Sequence, residues 1–236
     1  MIDPPEGLQQ IEPIVATLSG DSLDIESLLL AQNPVLDDEC VFEACGTGFF
    51  LQDVPSANLT SGAIVRDNTT AGFGGACYCE AGGEMDFSLS TFSRNLAGAS
   101  GGAIHYAGSD MDMQGCTFSG NSCAGGAALF LDAGSTTTIA HTLIVYTTEG
   151  LAVDCVTAPQ FVQNNDFYDN VFTMPSGTGN MNENPLFADP QNGDFHLQDD
   201  SYLATYPLNG GNPIGAFGAG CITNGCDDSD DDGICD

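Results

Sequence analysis

A chain of 236 residues with 42% hydrophobic and 8% aromatic content can fill one elongated domain or two small compact ones. Two Lys and Arg stand against 33 Asp and Glu, a formal net charge of −31, yet only 15% of residues are charged, so the anomaly is the missing cations. Phosphate neutralisation needs Lys and Arg clusters, so this balance excludes nucleic acid and anionic membrane as partners. It favours solubility and divalent cations, and most of the acids read as a solvated face.

In chain order, Met1-Ile2-Asp3-Pro4-Pro5 lacks the basic start and apolar core of a secretion signal. The longest apolar run, Leu28 to Ala31, is far too short to span a bilayer. No membrane insertion is expected, and the sequence reads as a mature product or, preferably, a fragment. Strand-like alternation begins at Leu23-Asp24-Ile25 and returns at Met85-Asp86-Phe87, Met111-Asp112-Met113 and Thr137-Thr138-Ile139. Gly74-Gly75-Ala76-Cys77, Gly101-Gly102-Ala103-Ile104 and Gly125-Gly126-Ala127-Ala128 open three segments. The first two close on Phe92-Ser93-Arg94-Asn95 and Phe118-Ser119-Gly120-Asn121. In the third, the Asn position is Thr147.

The Asn marker also recurs at Asn33, Asn68 and Asn170, and the position three before it is always apolar: Leu30, Val65, Phe92, Phe118, Ile144 and Phe167. A unit of about 25 residues cannot bury its own inner face, so it must stack on copies of itself at the strand spacing of about 4.8 Å. Thirty glycines weigh against long helices. Paired glycines suit turns with positive φ or close backbone approach, and an Asn at a bend bonds local backbone and can build an amide ladder. The expected fold is all-β: a right-handed parallel β-helix of about six coils over residues 1–220. Its irregular cap starts near residue 171, and an acidic repeat or linker follows over 221–236. Propeller blades are too long for this period, and sandwich strands would not repeat the two signatures in fixed order.

The stretch Gly101-Gly102-Ala103-Ile104 through Phe118-Ser119-Gly120-Asn121 resembles the repeats of chlamydial polymorphic outer-membrane proteins. More broadly, it resembles bacterial surface proteins of the pectate-lyase-like superfamily. Asn184-Pro185-Leu186-Phe187, Gly193-Asp194-Phe195-His196 and Ile214-Gly215-Ala216-Phe217 resemble the closing segment of such domains. The resemblance covers roughly residues 15–218 and implies fold far more than function, because that superfamily holds lyases, hydrolases, adhesins and stalks.

Ten cysteines, at 40, 45, 77, 79, 116, 123, 155, 221, 226 and 235, suggest disulfides and an extracellular or cell-surface location. Zinc is the competing reading for Cys77 with Cys79 and for Cys221 with Cys226, but neither pair has the expected spacing. The strongest chemical motif is Asp228-x-Asp230-x-Asp232-Gly233-x-x-Asp236, whose alternating carboxylates and glycine suit a Ca²⁺ loop. It resembles part of a thrombospondin type 3 repeat, cysteines included, and as an incomplete loop is expected to bind Ca²⁺ weakly.

Asp24, Asp86 and Asp112 share one offset from their markers, Asn58 stands near it, and Glu84 with Asp110 lies two residues earlier. Like charges on neighbouring coils must be solvated, protonated or bridged by a cation. Alternatively Asp86, Asp110 and Asp112 serve a glycoside hydrolase as acid and nucleophile. A lyase of the resembled kind uses an Arg or Lys base, and the only cations here are Arg66 and Arg94, expected near each other on one face. No Ser, His and Asp arrangement stands out, and Asn58 and Asn68 match glycosylation acceptors. The reading is a non-catalytic adhesin-like, stalk or self-assembling module with a calcium-binding tail. It would meet carbohydrate, a cell-surface protein or, end to end, itself. A polysaccharide lyase or glycoside hydrolase of the same fold is the alternative.

Overall fold

The computed structural model describes residues 63–206, except 109, 134–135, 157–160 and 172–175, together with residues 213–218 and three strand backbones upstream. Those three are β1 (Val35–Leu36), β2 (Val41–Glu43) and β3 (Phe49–Leu59). Then come β4 (Ile64–Arg66), β5 (Thr69–Thr70), β6 (Cys77–Ser88), β7 (Thr91–Ser93), β8 (Leu96–Ala97) and β9 (Ile104–Tyr106). The stack continues with β10 (Asp110–Gln114), β11 (Thr117–Ser119), β12 (Leu129–Leu131), β13 (Thr136–Ala140), β14 (Leu143–Val145), β15 (Val153–Cys155) and β16 (Phe161–Gln163). A hairpin, β17 (Phe187–Asp189) and β18 (Asp194–Leu197), ends the strand series.

The pairing is that of a parallel solenoid with three main sheets, the first two continuous through β3 and β6, and a further parallel pair of β5 and β8. The first runs from the start of β3 through the start of β6 to β9, β12 and β15. The second runs from β1 through the ends of β3 and β6 to β10, β13 and β16. In β3 and β6 the chain crosses from one sheet to the other without a break, where later coils divide into separate strands. The third sheet stacks β2, β4, β7, β11 and β14. All these pairs are parallel, whereas β17 and β18 are antiparallel.

Alternation decides what fills the interior. In β10 the pattern is exposed, buried, exposed, buried, exposed, so Met111 and Met113 point in while the acids point out. In the third sheet Phe42, Val65, Phe92, Phe118 and Ile144 are direct partners in one column. The rings of Phe92 and Phe118 stack at 4.7 Å with planes 13° apart. Each fully buried ring of this kind is worth about 1.5–3 kcal/mol of hydrophobic stabilisation.

Phe42 also corrects the sequence alignment. The neighbour of Val65 was expected to be Leu30, which lies outside the described residues, as do Asn33 and Asp24. Phe42 is the register partner of Val65 instead, with Cys45 three residues on in the sequence. Likewise Val35, not Asp24, stands beside Asn58. The third glycine signature slips by one. Ala103 N–H donates to Ala128 O and Gly102 N–H to Gly126 O, so Gly126-Ala127-Ala128 is the counterpart of Gly101-Gly102-Ala103. Gly150-Leu151-Ala152, unnoticed in the sequence, follows it, since Ala128 N–H donates to Ala152 O.

Bends are built by two polar columns. Asn68 and Asn95 donate their side-chain amides to Asn95 and Asn121 Oδ1 at 3.0 and 3.1 Å. All three are wholly buried, and each marker follows a left-handed residue: Asp67, Arg94 and Gly120. The structural reading of the Asn column holds. A second column at the opposite bend, Ser90, Cys116, Thr142, Asn165 and Asn180, escaped the sequence reading. It too follows left-handed residues: Leu89, Gly115, His141, Asn164 and Gly179.

The segment expected as an end cap does two things. Thr178 and Met181 bridge in parallel to Gln163 and Asp166, adding a rung at the end. From Phe187 onward the chain turns back along the outside of the third sheet. Phe187, Phe195, Leu197, Leu203, Tyr206 and Ile214 pack there on Leu143 and Val145.

The cysteine expectation needs correction within the described residues. Cys77, Cys79, Cys116, Cys123 and Cys155 are all free thiols. The first four are buried, and Cys77, Cys79 and Cys116 pack as small apolar side chains in the interior. Burial pushes the Cys79 thiol up to about 11 and that of Cys116 up to about 12. The other five lie outside the described residues.

Candidate functional site

Two outer faces carry side chains capable of recognition. On the first sheet, Tyr78, His105 and Phe130 are register partners in one outward column, between inward residues such as Ile104, Tyr106, Leu129 and Leu131. Their rings form a continuous ladder. Tyr78 meets His105 edge-on at 5.1 Å, and His105 stacks on Phe130 at 5.0 Å with planes 16° apart. Phe73, from the preceding bend, closes the group against Tyr78 and His105 at 5.2 and 4.8 Å and is 42% exposed. Asp154 continues the column beside Phe130.

His105 is the polar member. Its Nδ1 lies 2.6 Å from the Ser100 hydroxyl. Burial lowers its pKa, partly offset by the negative charge of Asp132, so at neutral pH it is an uncharged ring. Ser100 sits in Gly98-Ala99-Ser100-Gly101-Gly102, which has the outline of a hydrolase nucleophile turn. The backbone does not supply the rest. The N–H groups of Gly101 and Gly102 donate to Gly125 O and Gly126 O, so neither is available to hold an oxyanion. The Ser100 hydroxyl therefore orients the ring.

On the second sheet the expected acidic column is real but short. Asp112 pairs with Asp86, and Asp86 with Asn58, while Thr138 follows Asp112. Asp86, Asp110 and Asp112 are exposed. Asp110 pairs with Thr136 one step from this column, and its carbonyl accepts the Tyr106 hydroxyl. The Asp86 carboxyl is held above the usual range, first by desolvation and then by Asp112. Glu84 pairs with Ser56 in β3. Among the described residues no three His, Cys, Asp or Glu side chains converge as a metal site. Asp228, Asp230, Asp232 and Asp236 lie outside the described residues.

The chain matches the family model for a right-handed beta helix region over residues 31–185. The protein belongs to that family. A search of curated proteins and one of solved structures returned no match. The family match gives the β-helix its hand and covers both outer faces.

Several smaller expectations resolve on this β-helix. Arg66 Nη1 lies beside Gly193 and Arg94 Nη1 reaches Pro190 O, so the two cations do share a face. Arg94 forks onto Asp67 with two contacts of 2.7 Å and also reaches Pro190 O at 3.4 Å. Asn68 is wholly buried in its ladder and cannot carry a glycan. His196 bonds its neighbour Asp194 at 2.8 Å, while His141 lies 3.4 Å from the Asn164 amide. No helix among the described residues is long and apolar enough to cross a membrane.

The aromatic ladder was missed for one reason. Tyr78 and His105 both stand four residues after the first Gly of their signatures. With the third signature started at Gly125, the matching position reads Leu129. Started at Gly126, it reads Phe130, and the aromatic column is complete.

Proposed function

We propose that this β-helix is a non-catalytic recognition module, extracellular or at the cell surface, adhesin-like or part of a stalk, that meets its partner with its flank. The observation that carries this reading is the ladder of Tyr78, His105 and Phe130 with Phe73. Flat rings stacked along a rigid sheet offer an apolar platform at low conformational cost, the composition favoured at binding surfaces. A chain of net charge −31 repels anionic polymers. Its partner is then a neutral carbohydrate or a protein surface, with end-to-end self-association a further mode. The calcium-binding tail suggested by Asp228, Asp230, Asp232 and Asp236 would add a Ca²⁺-dependent contact. The likeness to chlamydial surface repeats agrees with such a role.

A second reading rests on Asp86 and Asp112. Direct register partners bring two carboxyls together, as a retaining glycoside hydrolase requires. One experiment separates the two readings. A glycan and surface-protein panel is probed with the wild type, with Phe130→Ala plus Tyr78→Ala, and with Asp86→Asn plus Asp112→Asn. Binding lost only in the aromatic pair, with no sugar released by the wild type, supports the recognition module. Turnover abolished in the acid pair overturns it.

A further inference from the structure

Asp166 is an acid in an apolar slot. It occupies the outward column of the third sheet, with Leu143 on one side and Met181 on the other. Leu143 and Met181 both belong to the outer apolar cluster under the C-terminal strap. Asp166 itself is wholly buried. Its Oδ1 accepts the Glu183 N–H at 2.7 Å, and its Oδ2 has no partner. Beyond Glu183 the chain forms the strap, whose far end is held by Gly215 N–H on His141 O and by Ala216 N–H on Thr117 Oγ1, both at 2.9 Å.

We propose that Asp166 makes the seating of this strap depend on pH, closed when the carboxyl is neutral and loosened when it ionises. A neutral carboxyl fits the slot with one oxygen unpaired. A carboxylate there would hold a full charge with a single N–H donor and no cation. Water could reach it only if residues around Glu183 lifted, which would uncover Leu143 and Val145.

The groups facing the site sharpen this. Glu183 stands on the strap side and adds like charge. Tyr146, on the preceding coil, is influenced by Tyr168, Asp169 and Asp166. None of the four can compensate a carboxylate. Burial, lowered somewhat by the Glu183 N–H, pushes the Asp166 carboxyl up to about 7. Between the ordinary carboxylate range and that value the closed form holds a proton the open form lacks. Closure is therefore favoured at low pH and lost as pH rises through about 7. Burial lowers the pKa of His141 below its ordinary value, which favours its neutral ring.

The test is amide exchange at pH 6 and pH 8.5, corrected for intrinsic base catalysis, in wild type and Asp166→Asn. Protection of Glu183, Gly215 and Ala216 should fall about tenfold at the higher pH relative to Asn95 and Phe118 in the core. Asp166→Asn should abolish the difference. An equal fall in the variant, or no fall in the wild type, overturns the proposal. Should Asp166→Asn not fold, the carbon-13 shift of the wild-type Asp166 carboxyl decides. A midpoint near 7 that tracks the Glu183 amide supports it, and one below 5 overturns it.

Discussion

The side-chain amide of Asn95 donates to Asn121 Oδ1 at 3.1 Å while its own Oδ1 accepts from the Asn68 amide at 3.0 Å. Its second amide hydrogen goes to Val65 O at 2.9 Å, so every donor of this buried side chain is used. Asn95→Ala would strand partners on both neighbouring coils. The expected loss is about 2–4 kcal/mol, from one to two buried groups left unsatisfied. Urea unfolding reads it as a lower midpoint at unchanged slope.

Gly101 tests the second recurring signature. Its φ is +67°, and a methyl group there would lie 2.3 Å from Ile104 O, against backbone rather than a flexible side chain. Gly101→Ala should cost more than about 2 kcal/mol through left-handed strain and a backbone clash. Gly120→Ala, also left-handed but 3.6 Å from the nearest atom, should cost less. Thermal unfolding of the pair separates strain from clash.

These two signatures explain why so much of the fold was legible. A solenoid repeats its physics, so one apolar column and one bend residue, read at a fixed interval, specify stacking direction and the inner face. Legibility failed where spacing changed. Phe42 is the register partner of Val65, but three residues on the sequence has Cys45 rather than an Asn, so the marker breaks between Asn68 and Asn33. The Gly125-Gly126 pair stands one residue out of register, which hides the aromatic ladder. The acid pair Asp86 and Asp112 was visible because its offset never changed. The burial of Asp166 was not, because the strap that covers it comes from outside the repeat.

The free thiols give a direct chemical check. A raised pKa keeps Cys79 and Cys116 as unreactive thiols at neutral pH, and Cys77 is pushed up as well by its burial and then by Cys79. Cys155 is only half-buried. Among the five cysteines of the described residues, alkylation at pH 8 should label Cys155 first and leave Cys77 and Cys116 unmodified until the chain unfolds. Peptide mass mapping against time checks the order. Cys77 or Cys116 found in a disulfide in the native protein would refute the packing described for the interior.

The acid pair makes a pH prediction of definite sign. Asp86 is raised by desolvation and by the charge of Asp112. Asp112→Asn removes the second cause, so the Asp86 midpoint should move down toward the ordinary value while remaining above it. In the wild type, Asp86 favours the folded chain at low pH, and that advantage is lost as pH rises through its folded pKa. Because the side chain is exposed, the effect on stability is small. Carboxyl carbon-13 titration of both proteins measures the shift, and an unmoved midpoint would mean the two carboxyls do not interact.

Thr147 is the one marker in the line from Asn68 to Asn170 that is not an Asn. Its N–H donates to Asn170 Oδ1 at 3.1 Å, as Asn95 N–H does to Asn121 Oδ1 at 2.9 Å, so the backbone is already in ladder geometry. Its Oγ1, however, is buried without a partner. Thr147→Asn supplies what the column lacks: an oxygen for the Asn121 amide and N–H groups for Asn170 Oδ1 and Phe118 O. The preceding residue, Tyr146, has the φ of +56° that precedes the other markers, so no backbone change is needed. The gain should be about 1–2 kcal/mol, from new buried hydrogen bonds and one fewer orphaned oxygen. Paired with Asn121→Ala in a double-mutant cycle, the share of the gain that runs through the Asn121 amide should vanish, while the bonds to Asn170 Oδ1 and Phe118 O keep the rest. A gain wholly unchanged in the cycle would mean that the new side chain does not meet Asn121.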